Sequence, residues 1–438
     1  MTEAQEVKKE LNHYIIRNIM ANVGLSAYVL VDTLFIAIAA GSLGLTVLNL
    51  ALPIFNLFNA TGLLLGVGGA TYFSLNKVRH PERVKSTYSQ LIIFAFLLGV
   101  AEIILMRVFL DPFLHLLGAN AQTMDLGRTY VGFIAFSAPL YMCNYITINF
   151  VRNDGNPSLT MIATLTETAC VILIDWLLIF KLGLHMEGAA MAVFFSPLCS
   201  LLVLSFHIRF KKRQLEWHWA WPKLTTLKTA ARLGIAPFMN EMSSGVSIYL
   251  FNWTLLKLAG NYAVAAYGVV ANIGIMTLAA ANGVALGVQP IASREFGKHA
   301  RQKVIIAYRY GLMVTAGLAL ALTAILIVFK RPIIDLFNTE HQAALLSYAL
   351  SGLPIYFTSA VFTAVNILTI IFLTAINRGG TSFKLSLLRG YLILLPMIVL
   401  LAFIGGVHGV FAAMPVSELI VSLICFAIMR GVLHQLSE

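Results

Sequence analysis

The sequence predicts an all-α polytopic membrane protein with twelve transmembrane helices in two similar six-helix halves. Three observations carry this reading. The 438 residues are 59% hydrophobic and only 11% charged, more apolar than a water-soluble fold carries. Apolar stretches of about 20 residues or more, each able to cross a bilayer core, recur along the whole chain between short polar interruptions. Lys and Arg fall overwhelmingly on alternate connections, as orientation in a membrane demands.

The spans are expected at residues 13–39, 46–75, 87–110, 128–151, 159–181, 187–208, 231–257, 264–292, 304–329, 346–375, 382–404 and 408–433. The first is too long for a signal-peptide core, and Lys8, Lys9 and Arg17 stand at its entrance, so it reads as a retained helix. Placing the N-terminus inside puts 24 of the 30 Lys and Arg in cytoplasmic segments, including Arg378, Lys384 and Arg389. Only Arg107, Arg128, Lys181, Lys257, Lys330 and Arg331 remain outside. Both termini are therefore expected in the cytoplasm, in an integral protein of the cell (inner) membrane. The formal charge of +11 is thus a matter of topology. Nucleic acid is excluded as a partner, because no polar domain gathers these charges into a patch.

The longest polar interval, RFKKRQLEWHWAWPKL, divides the chain near its midpoint. It gives an N-terminal lobe over residues 1–208, a cytoplasmic linker over 209–230 and a C-terminal lobe over 231–438. Trp217, Trp219 and Trp221 alternate with His218 and Ala220, which suits a surface segment with its indoles among lipid headgroups. Shifted by about 220 residues, the halves resemble each other: GLLLGVGG from Gly62 matches GVALGVQP from Gly283, Tyr88 meets Tyr308, GAAMA meets GVFAA, and NDGNP meets AINRGG. Six spans per repeat give both halves one orientation, related by an axis along the membrane normal, with a cleft between two lobes.

Ionisable residues inside apolar spans are costly, so each is a functional candidate. Asp32 and Asp175 lie at nearly the same depth in the first and fifth spans. Two such carboxylates can share a cation, making them a candidate sodium site, or hold a proton between them. Glu167, two turns inward from Asp175, extends a polar path, and Glu241 in PFMNEMSSG is the acid deep in the second half. Tyr28 stands one turn before Asp32, while Asn144, Asn149 and Asn153 stud the fourth span as hydrogen-bonding lining or as interhelical glue. Glu102 and Glu418 suit local pairing, with Arg107 and within MPVSE respectively. GVGGA reads as close helix packing, because no strand, Lys or Ser/Thr of a phosphate loop accompanies it. Cys143, Cys170, Cys199 and Cys425 sit in apolar spans without paired spacing and read as packing residues. The histidines lack metal spacing and no nucleophile motif is present, so neither an organic cofactor nor enzymatic chemistry is expected.

LVDTLFI in the first span, RNDGNPS after the fourth, LIDWLLIF in the fifth, GAAMA in the sixth, GVQPIASREFGK after the eighth and GVFAAMPVSE near the end resemble the multidrug and toxic compound extrusion (MATE) family. The resemblance covers essentially the whole chain. It implies a V-shaped pair of six-helix lobes that alternates between outward and inward openings and exports organic compounds in exchange for protons or sodium. By position, Asp32 and Asp175 match the acids implicated in coupling in the N-terminal lobe, particularly in the branch named for a DNA-damage-inducible protein. The chain departs from that branch at Val171, Val193 and Arg17. It departs from the norfloxacin-resistance branch in having no acid within residues 346–375. A monomeric, ion-coupled antiporter for amphipathic, often cationic, small organic substrates is the function these features imply, with membrane lipid as its surroundings. The alternatives are a flippase for lipid-linked saccharide, which needs cations in its cleft, and a membrane-embedded lipid-modifying enzyme, which needs an acid or histidine constellation at one interface.

Overall fold

A computed structural model describes residues 3–77, 81–211 and 213–437, and among these no strand occurs. The helices are α1 (Glu3–Asn76), α2 (Pro81–Val84), α3 (Thr87–Val108), α4 (Leu110–Leu117), α5 (Met124–Ile134), α6 (Ala138–Asn153), α7 (Pro157–Asp175) and α8 (His185–Ser205). They continue as α9 (Leu224–Ala259), α10 (Asn261–Gly297), α11 (Arg301–Val328), α12 (Lys330–Phe337), α13 (Ala343–Phe357), α14 (Ala360–Ala375), α15 (Gly379–Leu387) and α16 (Leu394–Ser437).

Among the described residues, eight helical runs are long and apolar enough to cross a membrane, and α13 with α14, bent by 44°, makes a ninth. Two of the eight are each a pair of crossings. α1 breaks at Gly41 (φ 61°, ψ −152°) and α16 at Gly406 (φ 54°, ψ −134°), left-handed angles that glycine adopts without a Cβ clash. α9 supplies the twelfth crossing; Arg232, Pro237 and Glu241 make it the least uniformly apolar. The twelve-helix layout expected from the apolar runs is therefore present, with both hairpin breaks at glycines.

Grouped by contact, the chain forms two compact units: residues 35–249, and residues 250–438 together with the N-terminal residues up to Leu34. The division thus falls inside α1 and α9. In the first unit α7 packs along α8 and α3 along α6. The glycines of GLLLGVGG are contact points. A Cβ on Gly66 would stand 2.9 Å from the Tyr145 carbonyl oxygen, and one on Gly68 would collide with the Ala230 carbonyl of α9. Small residues here let backbones approach, as the sequence reading of GVGGA anticipates.

In the second unit, Val7, Leu11 and Ile15 of α1 enter a core with Val284 and Val288 of α10, Tyr308 of α11, Phe372 of α14 and Cys425 of α16. Gly287, the counterpart of Gly66 in the repeat, lets α1 approach: a Cβ there would lie 2.7 Å from the Ile15 Cα. Both units keep one cross-helix bond in common. Tyr88 and Thr147 join their hydroxyls at 3.0 Å in the first, and Tyr308 and Thr369 at 3.0 Å in the second. No disulfide joins the four cysteines.

The expected linker, residues 209–230, is helical from Leu224 onward, where α9 begins; residues 213–223 lie across the first unit without regular secondary structure. Buried Asp154, in the NDGNP loop, accepts the backbone N–H groups of Gln214 and Leu215, each at 2.9 Å, and bonds His207 Nε2 at 2.9 Å. Gln90 Oε1 accepts the Lys223 N–H at 3.1 Å, and Ser89 donates to the His218 carbonyl. Trp217, Trp219 and Trp221 stay 51–67% exposed, as residues meeting headgroups would be.

Candidate functional site

The sequence-predicted acids occupy distinct settings. Asp175 ends α7 and is 1% exposed. The backbone beyond it, Trp176–Lys181, widens into a π-helical turn, a distortion that frequently marks functional positions. Val171, one turn earlier, and Val193 on α8 are buried apolar residues.

Glu167, two turns inward on α7, is partly buried and accepts the Asn144 amide at 2.9 Å. α6 thus presents an amide to α7 at this level, one of the contacts the polar path needs. Asn149 and Asn153 spend their amide groups on their own helix, donating to the Tyr145 and Asn149 carbonyls at 2.8 and 2.9 Å. Glu241 of α9 faces α1, where the Asn59 amide donates to it at 3.4 Å. Gly245, one turn on, approaches Asn56 of the same helix face, since a Cβ there would stand 2.8 Å from the Asn56 Cβ. All of these residues belong to the 35–249 unit.

Asp32 falls in the other unit, near its boundary after Leu34. The next residue, Thr33, is buried and accepts the Asn272 amide of α10 at 3.0 Å. The side chain of Tyr28 lies outside the described residues. Just past Asp32, Phe35 of the first unit meets Phe180 edge-on at 5.1 Å.

One cluster escapes the sequence reading. Arg389 is counted there among cytoplasmic charges, but it lies well inside the apolar run Gly379–Ser437. Its Nε donates to Glu418 Oε1 at 2.7 Å, and the Glu418 side chain is 3% exposed. Asn366 of α14 donates to Glu418 Oε2 at 2.7 Å and to its carbonyl at 2.9 Å, while Ser422 donates to Asn366 at 2.9 Å. Arg389 stands within the span expected over residues 382–404, and its partner is 29 residues further on, so no local pattern announces the pair. The available signal was the apolar run SLLRGYLILL around the Arg. The expected local hydrogen bonding of Glu418 within MPVSE gives way to bonds from two other segments, and the register that sets Ala138 against Ala360 sets Asn144 against Asn366 and Glu167 against Arg389. Glu102 is not bonded to Arg107, whose guanidinium lies over the Phe136 ring at 5.7 Å; its buried Oε2 has no hydrogen-bond partner.

No group of three or more His, Cys, Asp or Glu among the described residues is arranged to hold a metal ion.

Twelve apolar crossings, an internal repeat and carboxylates carried inside the helices define a polytopic membrane protein of the transporter class. The chain belongs to the MatE family, whose model matches residues 18–177 and 238–400; it is a family of transporters and not of enzymes. The chain is 26% identical over 436 residues to the multidrug export protein MepA of Staphylococcus saprophyticus, covering 96% of this chain and 93% of that protein. It is 24% identical over 444 residues to MepA of Staphylococcus haemolyticus, covering 99% and 96%. A solved inward-facing multidrug resistance MATE family transporter of the MOP superfamily superposes with a TM-score of 0.84 at 20% identity, covering 94% of this chain and 95% of that one. An outward-facing structure from that family gives 0.73 at 20% identity, covering 100% and 99%. At these identities the solved structures speak for the fold.

Proposed function

We propose that the protein is a multidrug exporter, an ion-coupled antiporter that expels amphipathic, often cationic, organic compounds by alternating access. The observation that carries the coupling is Asp175, a carboxyl 1% exposed in an apolar helix at the start of a π turn. An ionised carboxylate is costly to keep at so buried a position. Binding a proton or sodium relieves that cost, so ion occupancy and conformation are linked by differential affinity. Asp32 joins Asp175 as the second coupling acid, with Glu167 and Asn144 forming the inward polar path and Glu241 a further carboxyl. The MepA relatives, multidrug export proteins similar along nearly their full length, support drugs as the exported compounds.

The aspartates favour the branch named for a DNA-damage-inducible protein, and residues 1–208 and 231–438 act as the two lobes. We place the protein in the cell membrane as a monomer with both termini cytoplasmic. A lipid-linked saccharide flippase would need cations free to grip pyrophosphate. Arg389 lies inside a span but is neutralised by Glu418, which counts against that role.

The test is transport in proteoliposomes under an imposed proton or sodium gradient. Gradient-driven movement of a cationic dye, abolished in Asp175→Asn and strongly reduced in Asp32→Asn, supports the assignment. Transport indifferent to both gradients and both substitutions rejects it.

A further inference from the structure

We propose that the 250–438 unit carries a binding site for a phosphate ester at the junction of α10 and α11, separate from the acids assigned to coupling. A cavity of about 230 Å³ opens there, lined by His299, Arg301, Arg378 and Gln435 above an apolar floor that includes Val304 and Leu436. Its volume suits a phosphate group with part of its ester.

The chemistry of the lining selects an anion. Two guanidiniums and an imidazole face the cavity, and among the described residues no carboxylate lines it. The adjacent cations are differently placed. Arg294 is committed to Glu10 at 2.7 Å and Glu295 at 2.8 Å, and Lys298 reaches Glu295 at 3.4 Å. Arg378 is steadied by a hydrogen bond to Gln435 Oε1, a neutral acceptor that leaves its charge unbalanced. Arg301 opens α11 and Arg378 caps the start of α15, and neither helix has an acid in its first turn. A cation at a helix N-terminus opposes the helix dipole. Two such ends converging on one cavity with two guanidiniums form an arrangement that an anion relieves, and guanidinium binds phosphate through paired N–H donors.

Position points to the source. The cavity lies where two membrane-crossing helices, Asn261–Gly297 and Arg301–Val328, meet, which is headgroup depth. Its apolar floor, with Val304, Ile376 and Val432 buried in the core of the unit, sets the anion-binding side chains against hydrocarbon. The shared chemistry is a phosphate ester, supplied either by an anionic phospholipid headgroup or by a soluble phosphate.

The experiment uses the purified full-length chain in neutral detergent, with thermal unfolding as readout and native mass spectrometry to count bound lipid. The probes are dioleoyl phosphatidic acid, the corresponding dioleoylglycerol lacking phosphate, and inorganic phosphate. The expected result is a saturable rise in Tm with phosphatidic acid and none with dioleoylglycerol. The double variant R301Q/R378Q should need about tenfold more lipid for the same rise, while R331Q behaves as the parent protein. If the double variant does not purify folded, R301Q and R378Q singly carry the same comparison. An equal rise with inorganic phosphate, sensitive to the same substitutions, assigns the site to a soluble phosphate. Equal responses in parent and variant, or stabilisation by dioleoylglycerol, overturn the site. None of these outcomes depends on transport, so they are distinguishable from failure of the coupling assignment.

Discussion

The Arg389 guanidinium donates to the Glu418 carboxylate at 2.7 Å inside the second unit, and Asn366 fills the other carboxylate oxygen at 2.7 Å. The pair is an internal ion pair of the helix bundle, with every carboxylate oxygen supplied by a donor. Desolvating two charges is costly, and their mutual attraction repays it only while both are present. Glu418→Gln and Arg389→Gln are each expected to destabilise the protein by about 3–5 kcal/mol, read as loss of Tm in detergent. The double variant R389Q/E418Q should recover a large part of that loss. Additive losses in the double variant would refute the pairing.

At Asp175 the expectation differs, because the residue is assigned to coupling. Asp175→Asn should leave Tm close to that of the parent protein while removing gradient-driven efflux. Substrate binding, followed by dye fluorescence, should persist. A variant that transports normally under a gradient would exclude Asp175 from coupling.

Gly68 and Gly234 form a reciprocal contact between α1 and α9: a Cβ on Gly68 would meet the Ala230 carbonyl, and one on Gly234 the Leu64 carbonyl. Neither obstacle is a flexible side-chain end, so the helices must separate. Gly68→Ala should cost about 1–3 kcal/mol, the usual range for overpacking, and Gly68→Leu should abolish recovery of folded protein. Gly297→Ala, at a position with open space around it, serves as the control and should be silent.

Glu10 lies ahead of the first expected span and is bound by the Arg294 guanidinium, which holds its carboxyl below the usual glutamate range. A depressed folded-state pKa adds stability above the unfolded pKa, near 4.5, and the contribution disappears as pH falls through the lower folded value. Glu10→Gln should therefore lower Tm at pH 7 and converge with the parent protein at pH 3. High salt should shrink the difference, since the pair is partly exposed. A Tm difference independent of pH would reject this account.

Asp154 gathers His207 and two backbone N–H groups of the linker. Asp154→Ala leaves those donors unsatisfied and should free the segment around Gln214. Faster cleavage there by trypsin, at Arg213, is the readout. Unchanged proteolysis would mean that the other linker bonds suffice.

The amino-acid sequence by itself determined the membrane class, the crossings, the repeat and the acids of interest. Each depends on local properties: twenty apolar residues cross a bilayer wherever they stand, and Asp175 is conspicuous because its neighbours are Ile174 and Trp176. Gly41 and Gly406 fall in the gaps between predicted spans for the same reason. What the sequence left undecided was partnership. Arg389 and Glu418 are far apart along the chain, and nothing in their flanks says that one neutralises the other. The commitment of Asn144 to Glu167, with Asn149 and Asn153 bonded to their own helix, likewise depends on how α6 is rotated against α7. Tertiary packing settles such matters because a buried charge or amide is stabilised only by the groups that folding brings within about 3 Å of it.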